Sequence, residues 1–89
     1  MPTIEIYTQP WCPYCSQAVR LLQRKGAAFH EIDARQGSPE RAEAVRRSGR
    51  ATVPQIFIDG RHVGGSDDLA ELERGGRLDA MLQGADAEG

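Results

Sequence analysis

Apolar and polar positions along the chain change period several times, and each change marks an element. From Thr3 to Tyr7 the residues alternate, with Ile4 and Ile6 on one side and Glu5 on the other, which predicts a strand. Cys15, Ala18, Val19 and Leu22 then recur at i, i+3, i+4 and i+7, with Leu21 at the edge of the stripe and Gln17, Arg20, Gln23 and Arg24 facing water. That spacing predicts a helix from about Pro13 to Lys25. Pro13 suits its first position, Arg24 and Lys25 its negative end, and Gly26 its stop. Phe29 to Ile32 reads as a second strand, so strand, helix and strand should cross over right-handed into a parallel pair. Ser38 can cap a second helix that starts at Pro39 and ends at Gly49, with a Glu43–Arg47 pair on its outer face. Gln55 to Ile58 and Arg61 to Gly64 form a hairpin around Asp59-Gly60. Ser66 can cap a third helix to about Arg74, and Leu78, Met81 and Leu82 mark a last short one after Gly75-Gly76. Residues 84–89 read as a frayed polar tail.

This order predicts an α/β fold: a four-stranded mixed sheet flanked by helices, of the thioredoxin-like kind. With 89 residues the chain holds a single domain over 1–89, and no repeat or linker divides it. Charged residues make up 27% of the chain and the formal charge is only -2, so no basic surface points to nucleic acid. No apolar run approaches the ~20 residues that a bilayer span needs. The strand pattern begins at once, so no leader is expected, and the cytoplasm is the expected location.

The two cysteines, Cys12 and Cys15, sit three positions apart at the start of the first predicted helix. A bridge between them closes too short a loop to add much stability, and structural disulfides are rare in a reducing cytosol. Reactivity explains them better. Disulfide exchange needs a thiolate, and a helix start supplies unpaired amides and the positive dipole end that favour one. Cys12 stands at that start and is the expected nucleophile. Cys15 shares the inward face with Ala18 and Leu22, so it is shielded from outside partners yet one turn from Cys12, as a resolving thiol should be. Half a zinc site is the alternative, but zinc takes four ligands, and His30 and His62 sit singly in strands without ligand spacing. No metal is expected. Trp11, directly before Cys12, is expected at the rim of the sulfur rather than in the core.

Cys12-Pro13-Tyr14-Cys15, Thr52-Val53-Pro54-Gln55-Ile56-Phe57-Ile58 and Gly64-Gly65-Ser66-Asp67-Asp68-Leu69 occur in this order. In these motifs and their spacings the chain resembles the bacterial dithiol glutaredoxins from about Ile4 to Gln83. The resemblance implies a glutathione-dependent oxidoreductase that reduces protein disulfides and glutathionylated proteins. It further implies a monomer with no tightly bound cofactor and with glutathione as co-substrate. It also implies a cis Val53-Pro54 bond opposite the cysteines, with Tyr14, Thr52, Val53 and Pro54 beside the bound tripeptide. The Val53 backbone would pair with glutathione as an added strand does. Gly65, Ser66, Asp67 and Asp68 would receive the γ-glutamyl end at a helix start, where either aspartate could meet the ammonium group. The alternative for both aspartates is service to the helix dipole alone. Arg41, eleven residues before Thr52, matches a contact to the glycine carboxylate. Because Arg46, Arg47 and Arg50 crowd the same stretch, a solvated basic face is the competing reading.

Three positions depart from the family pattern. Gln9 stands where relatives often have Lys, which removes a cation that would favour the Cys12 thiolate. Trp11 replaces a small or phenolic residue and either narrows the entrance or adds a stacking surface. Ser66 stands where some relatives carry a third cysteine.

Overall fold

A computed structural model of the protein describes residues 2–83. In chain order its elements are β1 (Ile4–Thr8), α1 (Pro13–Arg24), β2 (His30–Asp33), α2 (Pro39–Ser48), β3 (Gln55–Ile58), β4 (Arg61–Gly64), α3 (Ser66–Arg74) and α4 (Leu78–Leu82). The tail expected at 84–89 lies outside the described residues.

The sheet order is β2-β1-β3-β4. β1 and β2 are parallel, with Glu5 opposite His30 and Thr8 opposite Asp33. β1 pairs antiparallel with β3, and β3 with β4. Both β1 and β2 run one residue later than the apolar pattern suggests. The parallel ladder carries the polar residues Thr8 and Asp33, and Thr8 O accepts from Ala34 N–H at 2.7 Å. Asp59 and Gly60 both have positive φ (52° and 79°), as a two-residue turn matching the strand twist requires.

Alternation along β1 and β3 divides the core in two. Ile4, Ile6, Ile56 and Ile58 face α1, α3 and α4, against Ala18, Leu21, Leu22, Leu69 and Leu78. Tyr7 and Phe57 point the other way, towards Ala34 and Ala44 of α2. Full burial of a side chain such as Leu22 or Leu69 stabilises the fold by about 1.5–3 kcal/mol. The stripe of α1 is rotated slightly from the one expected: Leu21 joins the core, while Val19 is only half-buried at its edge. Packing of α1 against α3 as well as the sheet draws Leu21 inward.

Two local expectations are corrected. Gly65, not Ser66, caps α3, because the Asp68 carboxylate reaches back to Gly65 N–H at 2.9 Å and starts the helix one residue earlier. Glu43 pairs with Arg46 rather than Arg47. Arg47 instead turns under the sheet, donating to Tyr7 Oη at 2.9 Å and Glu5 Oε1 at 3.1 Å, with its guanidinium 4.0 Å over the Phe57 ring. The arginines of this stretch are each paired with a carboxylate, Arg46 and Arg50 at the solvated surface and Arg47 largely covered.

Candidate active site

The site is built where β1 ends and α1 begins. Cys12 is the N-cap of α1 with extended backbone (φ -113°, ψ 104°), and Pro13 takes the first helical position. Cys15 N–H donates to Cys12 Sγ at 3.1 Å, so one of the orphan amides of the helix start is spent on the sulfur. The two cysteines are joined as a disulfide, with Cα atoms 5.2 Å apart. Cys15 is 3% exposed, whereas Cys12 is only half-buried. The pair is thus asymmetric in access: a reagent from outside meets Cys12 first.

The Val53-Pro54 bond is cis, and the Val53 carbonyl oxygen lies 3.9 Å from Cys12 Sγ. Beside it is a groove of about 270 Å³. Of the residues expected to bind substrate, Tyr14, Thr52, Val53, Pro54, Gly65, Ser66, Asp67 and Asp68 all line this groove. Tyr14 is well exposed at its rim. The N-terminus of α3 opens at the far end, where Asp67 is exposed in the first turn. Asp68 is already engaged. The Gly65 amide, and after it the Arg50 guanidinium at 2.9 Å, hold its carboxyl below the usual carboxylate range. Gly64 has φ 127°, and a Cβ there would fall 2.2 Å from Asp68 Oδ2, so this position requires glycine.

Arg41 stands apart from the groove. Its guanidinium donates to Gln9 Oε1 at 2.9 Å and to the carbonyls of Ala34 at 3.0 Å and Ala51 at 2.8 Å. It spans the two loops that flank Cys12.

Two groove residues were not anticipated from sequence, Arg50 and Gln55. Gln55 is fully buried. Its amide nitrogen donates to Thr52 O at 3.0 Å, and its oxygen meets His62 Nε2 at 2.7 Å. The signal was a lone amide heading an otherwise apolar strand, since a buried amide needs partners. Arg50 carried no comparable signal, because its partner Asp68 is 18 residues away. Among the described residues, no group of three or more His, Cys, Asp or Glu is gathered as a metal site.

A second cleft, of about 640 Å³, opens on the other flank of Cys12. Trp11 stands at its mouth, 98% exposed, with φ 62°. Its place at the rim agrees with the sequence expectation.

A dithiol split between an accessible helix cap and a buried neighbour one turn on defines a thiol–disulfide exchange protein. The glutaredoxin family profile matches residues 4–63. Over 83 residues the chain is 60% identical to a glutaredoxin of Pseudomonas aeruginosa, covering 92% of this chain and 98% of that one. It is 49% identical over 83 residues to glutaredoxin 3 of Escherichia coli strain K12, covering 93% and 100% respectively. A buckwheat glutaredoxin–glutathione complex superposes with a TM-score of 0.84 at 32% identity, over 97% of this chain and 81% of that one. The chain belongs to the glutaredoxin family, and it is a thiol–disulfide oxidoreductase.

Proposed function

We propose that this chain reduces glutathione mixed disulfides and protein disulfides with glutathione as co-substrate. The observation that carries the reading is the Cys12 sulfur, held by Cys15 N–H at a helix start, next to a groove with an extended edge and a second helix start. The Cys12 thiolate attacks the glutathione sulfur of a mixed disulfide, and the protein thiolate leaves and takes up a proton. A second glutathione thiolate then attacks the sulfur bound to Cys12, which releases glutathione disulfide and restores the Cys12 thiolate. On a protein disulfide, Cys12 forms the mixed disulfide and releases one target thiol. Cys15 then attacks Cys12 Sγ, which frees the second thiol and leaves the Cys12–Cys15 disulfide for two glutathiones to reduce.

In the groove the Val53 backbone pairs with the cysteinyl residue of glutathione, between Tyr14, Thr52 and Pro54. Amides at Ser66 and Asp67 favour the γ-glutamyl carboxylate, Gly65 serving through its close backbone approach, and the exposed Asp67 carboxylate favours its ammonium group. Asp68 shapes this end through Gly65 and Arg50. Arg41 does not line the groove; its bond to the Ala51 carbonyl, on the loop that leads to Val53, supports only an indirect part for it at the end proposed for the glycine carboxylate. The enzyme acts as a monomer in the cytoplasm, the compartment that supplies reduced glutathione, at a potential of about -200 to -230 mV. Assays of glutathionylated peptide and protein-disulfide reduction with two variants test the mechanism. Cys15→Ser is expected to keep deglutathionylation and lose protein-disulfide reduction, and Cys12→Ser to lose both. Deglutathionylation surviving in Cys12→Ser overturns the reading.

A further inference from the structure

We propose that the cleft on the Trp11 flank of Cys12 is the docking surface for the polypeptide that carries the target cysteine, with the Trp11 indole as its anchor. The inference rests on the reading that glutathione takes the groove on the other flank. The two depressions share no lining residue, and Cys12 lines the larger one. The exchange brings two thiol-bearing partners to this one sulfur, a tripeptide and a polypeptide. With the tripeptide placed beside Val53 and the α3 start, the free flank is left for the segment around the target cysteine.

The character of the cleft fits that occupant. Trp11, Pro13 and Val19 supply an apolar surface, and Arg20 and Glu31 give one charge of each sign. A cleft with balanced charge selects no small anion or cation. An exposed aromatic with Arg at its border has the composition of a protein-binding surface, where Trp and Arg carry a large share of affinity. Trp11 itself is the sharper sign. Its backbone lies in the left-handed region (φ 62°), which a bulky residue rarely adopts, and its side chain is 98% exposed. A strained backbone is therefore used to project an indole into solvent beside the reacting sulfur, with no burial in the fold to offset it. Val19, half-buried at the edge of the core, extends the same apolar surface. The chemistry selects a target segment with a large apolar side chain next to its cysteine.

Trp11 is the chain's single tryptophan, so its fluorescence reports the cleft directly. The kinetic test compares the protein with Trp11→Ala and Trp11→Phe on three substrates. These are the mixed disulfide of glutathione with 2-mercaptoethanol, a glutathionylated peptide with Leu beside its cysteine, and the same peptide with Ser in place of Leu. Trp11→Ala is expected to turn over the small substrate within about twofold of the parent while kcat/KM for the Leu peptide falls tenfold or more through KM. The Ser peptide should lose less, and Trp11→Phe should recover most of the loss. Adding the glutathionylated Leu peptide to Cys12→Ser should shift the indole emission to the blue. Equal losses on all three substrates, no loss on any, or an emission shift that follows protein concentration without peptide would each overturn the proposal, the last by showing a second copy on the surface. Failure of the unmodified protein on the small mixed disulfide would instead mark failure of the glutathione reading.

Discussion

Arg41 on α2 and Gln9 before the active-site turn are joined across 32 residues by a 2.9 Å hydrogen bond from Nη1 to Oε1. The same guanidinium holds the carbonyls of Ala34 and Ala51, so one side chain ties the loop leading to Cys12 to the loop leading to Val53. The absence of lysine at position 9 therefore does not leave this corner without a cation. The charge is delivered from α2, and Gln9 is the neutral acceptor that fits beside it.

This arrangement makes the two positions interdependent. Arg41→Met leaves two backbone carbonyls short of their donor and should destabilise the protein by about 1–3 kcal/mol. Gln9→Lys sets two cations against each other and should cost up to about 1 kcal/mol. In the double variant the penalty of the lysine should disappear, because its opponent is gone. Urea denaturation of the four proteins measures the coupling, and purely additive losses would refute it.

His62 reaches the groove only through Gln55. Gln55 spends its amide nitrogen on Thr52, so its buried oxygen accepts from His62 Nε2–H. The imidazole also packs against Phe57, with ring centroids 5.1 Å apart. His62→Phe keeps an aromatic ring but orphans the Gln55 oxygen, and should cost about 1–3 kcal/mol. His62→Gln can present an N–H near the Nε2 position and should recover part of that loss. For a chain of this size each kcal/mol moves Tm by about 4–8 °C, so thermal unfolding resolves the two variants. A Phe variant as stable as the parent would show that the ring alone matters.

Local signals carried most of the fold and the reactive centre. Helix periodicity identified the inward face of Cys15, Pro13 and Gly26 bounded α1, and Asp59-Gly60 announced the hairpin. These features depend on neighbours within about one turn, which a sequence displays. What escaped were pairings across long separations. Arg50 with Asp68, Arg47 with Glu5 and Arg41 with Gln9 each join side chains far apart in sequence, whose approach is set only once the elements that carry them have packed together. The N-cap of α3 was missed for a related reason. Serine is the stronger cap by local preference, but the Asp68 carboxylate closing on Gly65 decides the position.

Gly64 offers a direct probe of that turn. Its φ of 127° is unfavourable for any side chain, and a Cβ would fall on the Asp68 carboxylate. Gly64→Ala must displace Asp68, releasing both Gly65 N–H and Arg50. The variant should be destabilised by about 1–3 kcal/mol and should show a raised KM for glutathionylated peptide, with kcat little changed because Cys12 lies at a different helix start. An unchanged KM in a correctly folded variant would remove this turn from the binding groove.

Asp68 also gives this corner a pH dependence with a definite sign. The Gly65 amide first, and Arg50 second, keep its folded-state pKa below the ordinary 3.8. In the unfolded chain the carboxyl binds its proton near that ordinary value, so at lower pH the unfolded state takes up more protons than the folded state. The stabilisation is therefore fully present above about pH 4, and it is lost as pH falls through the folded-state pKa. Since the Asp68 side chain is 43% exposed, solvent screening keeps the effect modest. Asp33 and Glu43 are lowered in the same way by Arg35 and Arg46, so the acid limb of the whole protein mixes several carboxylates. The difference between the protein and Asp68→Asn isolates the one of interest. Urea midpoints from pH 6 down to about pH 2 should show the parent more stable at the start and the two curves converging below about pH 4. Curves that stay parallel over that range would mean that Asp68 acts through its shape at the α3 start and not through its charge.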